Sequence, residues 1–548
     1  MTNPRTAARG VSGPRVFRRV LVANRGEIAV RVIRTCRRLG IETVLTVSDA
    51  DAGSLPTRLA DKVIRIGPAP APDSYLNLDA VVGAALAAGV DAVHPGYGFL
   101  SENARLARAC AAAGIVFIGP TPETLEAAGD KLAAREHAMA AGLPVLPGGR
   151  IGPVGPGPAL SGPGGHKAGM EVGSEAAGAT AAGAREAGGA GLAGGDAAAA
   201  DVPGLVGLAG LAGRVGFPVL VKAAGGGGGR GLRVVREPGE LADAVSVASA
   251  EAGAAFGDAR VYLERYVERG RHVEVQILGD GERVIQLGDR DCSVQRRYQK
   301  LIEEAPAPGL DPDLRERLRA AAVALGRHLG YRGAGTVEFL VDADRGEFYF
   351  LEVNARIQVE HPVTEAITGL DIVAEQIAIA EGRPLRLRQQ DVTFDGHAIE
   401  CRINAEDPDH DFRPSPGTVT RAAFPVGPGG VARTWERRGL GGVRVDTHVQ
   451  AGAGVPAYYD SLLAKVVAHG ADRDAALRTL GGALERCVVE GVVTNLGLQR
   501  AVVGSAAFTA GGVDTGFLGK WLAPRPGDGG GAESAGSVRD DSGVDSDG

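Results

Sequence analysis

The tightest constraint on the fold is one stretch, Leu351-Glu352-Val353-Asn354-Ala355-Arg356-Ile357-Gln358-Val359-Glu360, whose odd positions are all apolar and even positions all polar. Strict period two predicts an extended ribbon with one buried face and one wet face. Glu352, Asn354, Arg356, Gln358 and Glu360 then share an edge. At about 3.3 Å per residue, Glu352 and Glu360 stand roughly 26 Å apart on a fully extended ribbon. On pattern alone, an ordinary half-solvated strand accounts for this. The row of carboxylate, amide, guanidinium, amide and carboxylate also suits a site that holds a metal at one end and an anion further along. Just upstream, Gly335 to Leu340 reads as a strand and Asp342 to Gly346 as a turn. Glu338 and Glu352 therefore fall on adjacent antiparallel strands, where cross-strand neighbours come within about 5 Å. Two carboxylates that close repel unless a cation lies between them, and Mg2+, with its hard oxygen ligands, suits the pair.

The preceding chain alternates strands and helices. Val20 to Ala23 reads as a buried strand, Asn24-Arg25-Gly26-Glu27 as a turn, Ile28 to Cys36 as a helix ended by Gly40, and Thr43 to Val47 as the next strand. This is a Rossmann-like, doubly wound beginning, although GxGxxG is absent. Further strands are expected at 62–66, 92–93 and 115–118. Helices are expected at 78–87, near 104–113, and as one piece from about Glu123 to Ala141. The loop from His94 to Asn103 is placed to carry ligand contacts. Later, a strand ending in Lys222 leads into the glycine run Gly225 to Gly231 and a second strand at 232–235. Strand, glycine loop, strand is a hairpin with a mobile flap, whose N–H groups can close over phosphate oxygens. Val261 to Val267 can offer backbone groups and a carboxylate to a nucleotide. The dense charge run Asp289 to Lys300 reads first as a solvated face, with Glu303 and Glu304 nearly cancelling it. A helix is expected at about 312–329.

At 548 residues, the chain is too long for one core and should form several domains. Its net charge of −7 argues against a nucleic-acid binder. No apolar run is long enough to predict a membrane span, and Met1 to Arg19 lacks an apolar signal core. Five scattered cysteines without a CxxC pair fit a reducing, cytoplasmic compartment and no zinc site. Cys292 is expected to be a passive buried thiol. Residues 151–205 collapse to Gly, Ala and Pro, and the end of the chain decays into a polar tail. Both are expected to be disordered and to carry no chemistry.

The motifs ANRGEIAVR, HPGYGFLSEN, KAAGGGGGRG, RDCSVQRRYQK, EEAPAPG, NARIQVEHPVTE and ECRINAEDP, in this order, resemble those of biotin carboxylase. The likeness runs from about Arg19 to Trp521, apart from the Gly/Ala/Pro insertion. It implies α/β and α+β multidomain architecture: a leader at 1–18, an N-terminal domain at 19–130, an ATP-grasp domain with a glycine-rich lid at 131–365, a C-terminal domain at 366–522 and a tail at 523–548. It implies ATP, Mg2+ (or Mn2+), bicarbonate, and biotin supplied in trans on a carrier protein. By the resemblance, Lys131, Lys222 and Gly227, Gly228 and Gly229 contact ATP phosphates. Glu264, Arg265, Tyr266 and Val267 hold adenine, and His272 holds the ribose. Glu338, Glu352 and Asn354 are the metal ligands. Lys300, Arg356, Gln358 and Val359 line the bicarbonate pocket, Glu360 is the base, and Arg402 lies near the biotin ureido oxygen. Tyr298 stands where the family commonly has histidine, which implies retuned ATP affinity. Met1, Met139 and Met170 are the only methionines and none precedes Lys. The expectation is therefore a free-standing subunit, or a carboxylase α chain without its carrier; the resemblance implies a biotin carboxyl carrier protein and a carboxyltransferase subunit as partners, a homodimer, and no nucleic acid or membrane. The rivals are an ATP-grasp ligase for another acceptor and a non-catalytic scaffold for carrier proteins.

Overall fold

The computed structural model describes residues 15–150, 204–223, 232–256, 259–425 and 442–523. Most of the expected leader, the insertion as far as residue 203, the glycine run with Gly227 to Gly229, and residues 524–548 of the tail lie outside the described residues. By compactness the chain forms two units, Ala127–Val267 and the remainder.

The N-terminal sheet has five parallel strands, β1 (Arg19–Val22), β2 (Glu42–Ser48), β3 (Lys62–Gly67), β4 (Ala92–His94) and β5 (Val116–Phe117), in the order β3-β2-β1-β4-β5. The order reverses between β1 and β4, the place where doubly wound sheets open a crevice for ligand. Helix α1 (Gly26–Arg38) leaves that point through Gly26, whose φ of +65° is strained for any residue with a Cβ. Asn24 pins the facing loop by donating to the carbonyls of Pro95 and Tyr97, both at 2.7 Å. The single helix expected from Glu123 to Ala141 is two, α2 (Pro122–Gly129) and α3 (Lys131–Ala140). Asp130 separates them, because its side chain accepts from the N–H groups of Leu132 and Ala133 and so starts a new helix.

Unit Ala127–Val267 contains a four-stranded antiparallel sheet of β6 (Gly148–Arg150), β7 (Val219–Ala223), β8 (Arg233–Val235) and β9 (Val261–Arg265), in the order β6-β9-β7-β8. Strands β7 and β8 pair in register from Val219↔Val235, so the expected hairpin frames the glycine run.

The larger unit carries an eight-stranded antiparallel sheet. Its strands are β10 (Gly270–Asp280), β11 (Val284–Arg296), β12 (Gln299–Ala305), β13 (Arg332–Asp342), β14 (Glu347–Asn354), β15 (His397–Asn404), β16 (Gly442–Thr447) and β17 (Leu462–Gly470), in the order β14-β13-β10-β11-β12-β15-β17-β16. The sheet runs without a break across residue 365, joining β10 to β14 with β15 to β17. Helix α4 (Pro312–His328) begins where expected, with Asp311 capping and Pro312 in the first turn.

The ribbon that opened the sequence reading is corrected. Strand β14 stops at Asn354, residues 355–360 are irregular, and helix α5 (His361–Thr368) starts with Glu360 as its N-cap. Pro362 favours that helix start. Asn354, Gln358 and Glu360 are buried, as are Ala355 and Ile357 on the opposite parity. The alternation marks a chain passing between an apolar core and a buried polar site, with no wet face. No described helix is long and apolar enough to cross a membrane.

Candidate active site

The larger unit gathers its ionisable groups around Lys300. From the start of β12, its Nζ donates to Glu274 at 2.6 Å, Glu338 at 2.9 Å and Glu360 at 2.6 Å. The turn after β14 therefore brings Glu360 onto the same ammonium as Glu338, where an extended ribbon would have kept them far apart. Glu338 and Glu352 face each other in register on β13 and β14, as the hairpin reading expected. Glu338 Oε1 also accepts from Asn354 at 2.9 Å and Gln358 at 3.0 Å, and Oε2 lies 2.9 Å from His272 Nε2. His272, Glu274 and Glu338 bring one potential ligand atom each within 4.8 Å of one another; the expected set of Glu338, Glu352 and Asn354 is adjacent along β13 and β14.

Arg356 is fixed on three sides. It donates to Glu102 at 3.0 Å, Asn354 Oδ1 at 2.8 Å and Gln358 Oε1 at 3.0 Å. Arg402, from β15, spans Glu303 (Nε to Oε1, 2.5 Å) and Glu360 (Nη2 to Oε2, 3.0 Å). The carbonyl of Val359 accepts from the fully buried Lys465 at 2.9 Å. A cavity of about 610 Å³ opens over this assembly, lined among others by Tyr97, His272, Tyr298, Lys300, Glu338, Glu352 and Arg402. Tyr298 sits half-exposed in the two-residue turn between β11 and β12. Its φ is +66° and that of Arg297 is +48°, both in the left-handed region that a tight hairpin demands.

The electrostatics follow from this packing. Burial pushes the Glu360 carboxyl up, but Lys300, Arg402 and Arg290 outweigh it and hold it well below the usual carboxylate range. Burial likewise opposes ionisation of Glu338, and Lys300 and His272 overcome it. Burial would strip the proton from Lys300, yet Glu274, Glu338 and Glu360 drive its pKa well above the ordinary lysine value. Glu303 is different: burial, opposed by Arg402, leaves it pushed up to about 7.

Within unit Ala127–Val267, Lys222 on β7 forms an ion pair with Glu264 on β9. Lys131 is the first residue of α3. Arg265 and Tyr266 spend their N–H groups on the carbonyls of Pro147 (2.9 Å) and Pro218 (3.0 Å), and Val267 is buried.

The charge run read as a solvated face is corrected. Arg290 is fully buried on β11, bonded to Glu274 at 2.5 Å, to Gln276 and Thr364 at 2.9 Å and to Thr336 at 3.0 Å. Each nitrogen of that guanidinium meets at least one acceptor, which makes its burial tolerable. Sequence reasoning also missed Glu274, Glu303 and Lys465. For Glu274 a signal existed, since the alternation from His272 places it on the His272 face. Cys292 is buried as expected, its thiol 3.9 Å from Glu360 and pushed well above the ordinary range by burial and Glu274.

Comparison with known proteins now gives this arrangement a context. Residues 16–125 match the family model for the biotin carboxylase N-terminal domain, 400–520 that for the biotin carboxylase C-terminal domain, and 200–388 that for the carbamoyl-phosphate synthase L chain ATP-binding domain. The chain is 45% identical to the biotin carboxylase of Nostoc sp., covering 92% of this chain and 98% of that one. It is 46% identical to the biotin carboxylase of Pseudomonas aeruginosa, covering 92% and 99%. Among solved structures it resembles the biotin carboxylase–beta-gamma-ATP complex from Campylobacter jejuni, with TM-score 0.78, 38% identity and coverage of 92% and 99%. It also resembles the biotin carboxylase domain dimer of Hydrogenobacter thermophilus 2-oxoglutarate carboxylase in complex with MgADP, ADP and bicarbonate, with TM-score 0.77, 39% identity and coverage of 92% and 97%. The chain belongs to the biotin carboxylase family.

Proposed function

We propose that this chain uses ATP and bicarbonate to carboxylate biotin presented on a carrier protein, through carboxyphosphate, giving carboxybiotin, ADP and phosphate. The observation that carries the reading is Glu360: one buried carboxylate held ionised between Lys300 and Arg402, beside a second carboxylate group at Glu338 and Glu352.

Bicarbonate is a weak nucleophile, and a proton acceptor sharpens its attack on the γ-phosphoryl group. Glu360 serves as that acceptor. Lys300, Arg356, Gln358 and the Val359 backbone hold the bicarbonate, the cations opposing its charge and Gln358 fixing its orientation. Arg402, a planar donor that stays charged, stabilises negative charge on the biotin ureido oxygen, and the phosphate released from carboxyphosphate takes the biotin N1 proton. Lys131, Lys222 and Gly227 to Gly229 bind the nucleotide phosphates, Glu264 to Val267 the adenine, His272 the ribose, and Tyr298 borders the nucleotide. Glu338 and Glu352 offer carboxylate oxygens, which fit Mg2+ or Mn2+; the Asn354 amide, which turns its Nδ2 to Glu338 and its oxygen to Arg356, would complete the set on reorienting, and the ion, when bound, would neutralise phosphate charge.

The partners in this reading are a biotin carboxyl carrier protein, a carboxyltransferase subunit and a second copy of the chain. Its five unpaired, buried cysteines support a reducing, cytoplasmic setting. The test is ATP hydrolysis measured with and without bicarbonate and free biotin. Hydrolysis that needs bicarbonate and accelerates with biotin is expected; hydrolysis indifferent to biotin would overturn the reading.

A further inference from the structure

Beneath Arg402 lies a pair of acids that the reaction above does not use. Strands β12 and β15 run antiparallel with Glu303 directly opposite Glu400. Cross-strand partners project to the same side of a sheet, with Cβ atoms about 5 Å apart. Both side chains have no solvent exposure. Glu303 Oε1 accepts from Arg402, but among the described residues Glu303 Oε2 and both oxygens of Glu400 have no hydrogen-bond partner.

The surrounding charges do not resolve this. Glu303 faces Arg402, Glu360 and Lys300, and Glu400 faces Lys465, Arg402 and Glu360. Arg402 is shared with Glu360. Lys300 is spent on Glu274, Glu338 and Glu360. Lys465 is spent on the Val359 carbonyl and on Glu27, 3.1 Å away, with Asp446 beyond. Two buried carboxylates side by side, with three acceptor oxygens unanswered, are costly. A single proton answers both problems, because a protonated carboxyl supplies the missing donor and removes one of the two like charges.

We propose that Glu303 and Glu400 share one buried proton at neutral pH, and that loss of this proton tightens the hold of Glu303 on Arg402 and so keeps Arg402 from biotin. The pair is a positioning device for Arg402, not a catalytic group, and it rests on the assignment of Arg402 to biotin. Burial, with Glu303 beside it, pushes Glu400 well above the usual carboxylate range, and Glu303 itself stands at about 7, which agrees with one proton held by the pair. The consequence is a biotin affinity that weakens on the alkaline side, while Glu400→Gln, which carries the missing donor permanently, is insensitive.

Infrared difference spectroscopy of the full chain tests the proton directly. A protonated-carboxyl band that titrates near neutrality and disappears in both Glu303→Gln and Glu400→Gln is expected; absence of any such band at about pH 6 in wild type overturns the proposal, even if a variant fails to fold. Steady-state assays test the link to Arg402. The KM for free biotin should rise at least about threefold between roughly pH 7 and pH 9 in wild type and stay flat in Glu400→Gln, with the KM for bicarbonate changing less in both. An identical rise in the variant overturns the link. Failure of the biotin carboxylation reading shows separately, as ATP hydrolysis indifferent to biotin at every pH, and leaves the infrared result standing.

Discussion

Glu360 has two cationic partners, but those partners depend on it unequally. Lys300 keeps Glu274 and Glu338 if Glu360 is neutralised, whereas the proton acceptor proposed for bicarbonate is lost altogether. Glu360→Gln is therefore expected to bind ATP nearly as wild type and to slow biotin-dependent ATP hydrolysis by at least about a hundredfold. Nucleotide titration and steady-state ATPase assays check the two halves, and wild-type turnover would remove Glu360 from the role. Arg290 makes the opposite case. It lies behind Lys300, and its loss strands Glu274 as a buried carboxylate with Lys300 as its remaining cation. Arg290→Ala should cost about 3 to 5 kcal/mol in denaturant unfolding, and a loss below about 1 kcal/mol would show that the network tolerates an open charge. Arg290 was illegible in the sequence because a run of charges looks the same whether water or other side chains answer it. The answering groups come from β10, β13 and α5, 14 to 74 positions away in the chain, and only the tertiary fold brings them together.

At the level of elements, local chemistry was readable wherever it was decided locally. The β13–β14 hairpin, the N-terminal alternation and the strands framing the glycine run all follow from periodicity and turn residues, and Glu338 meets Glu352 as the hairpin requires. Elements were misread where a tertiary environment or a single cap overrode the pattern. Period two carried the ribbon on to Glu360, yet the chain turns after Asn354 because its polar side chains find Lys300, Arg402 and Glu338 there. Asp130 likewise splits a helical pattern whose flanks are both good helix formers. Asp130→Ala removes the acceptor for two N–H groups and should cost about 1 kcal/mol in the unfolding of unit Ala127–Val267. Because Lys131 opens the helix that Asp130 caps, the same variant should raise the KM for ATP and leave that for bicarbonate unchanged. Equal changes in both would separate the cap from the nucleotide.

Across the whole molecule, buried ionisable groups pull stability in opposite directions as pH falls, and the balance tips at a definable place. His94 and His448 are buried and neutral, with burial pushing them down to about 4 and about 3; burial and Lys465 push His361 well below the ordinary histidine value. Between about pH 6.5 and pH 4 the unfolded chain protonates these three while the folded chain does not, so they cost stability as pH falls. Glu27, Glu274, Glu303 and Glu400, all raised chiefly by burial, act the other way over much of that range. Each takes up its proton at a higher pH in the folded state than in the unfolded one, so falling pH favours folding until the unfolded carboxyls also protonate near about 4.3. The two sets oppose each other, so little net change is expected from about pH 6.5 to about pH 5. Below that, the raised carboxyls contribute nothing further, while the depressed ones take over. Glu338, Glu360 and Asp446 are held down against burial by Lys300, His272, Arg402, Arg444 and Lys465, and Asp371 stands at about 2 through Arg31. Their stabilisation is present above the unfolded carboxylate value and is lost as pH falls through their folded values. At up to about 1.4 kcal/mol per group and pH unit, four such groups exhaust a typical stability of about 5 to 15 kcal/mol within a few pH units. Urea midpoints by circular dichroism, taken at intervals of pH, should run level and then break downward near about pH 4. A steady decline beginning already at about pH 6.5 would mean that the histidines outweigh the protonated carboxyls, and with them the buried proton assigned to Glu303 and Glu400.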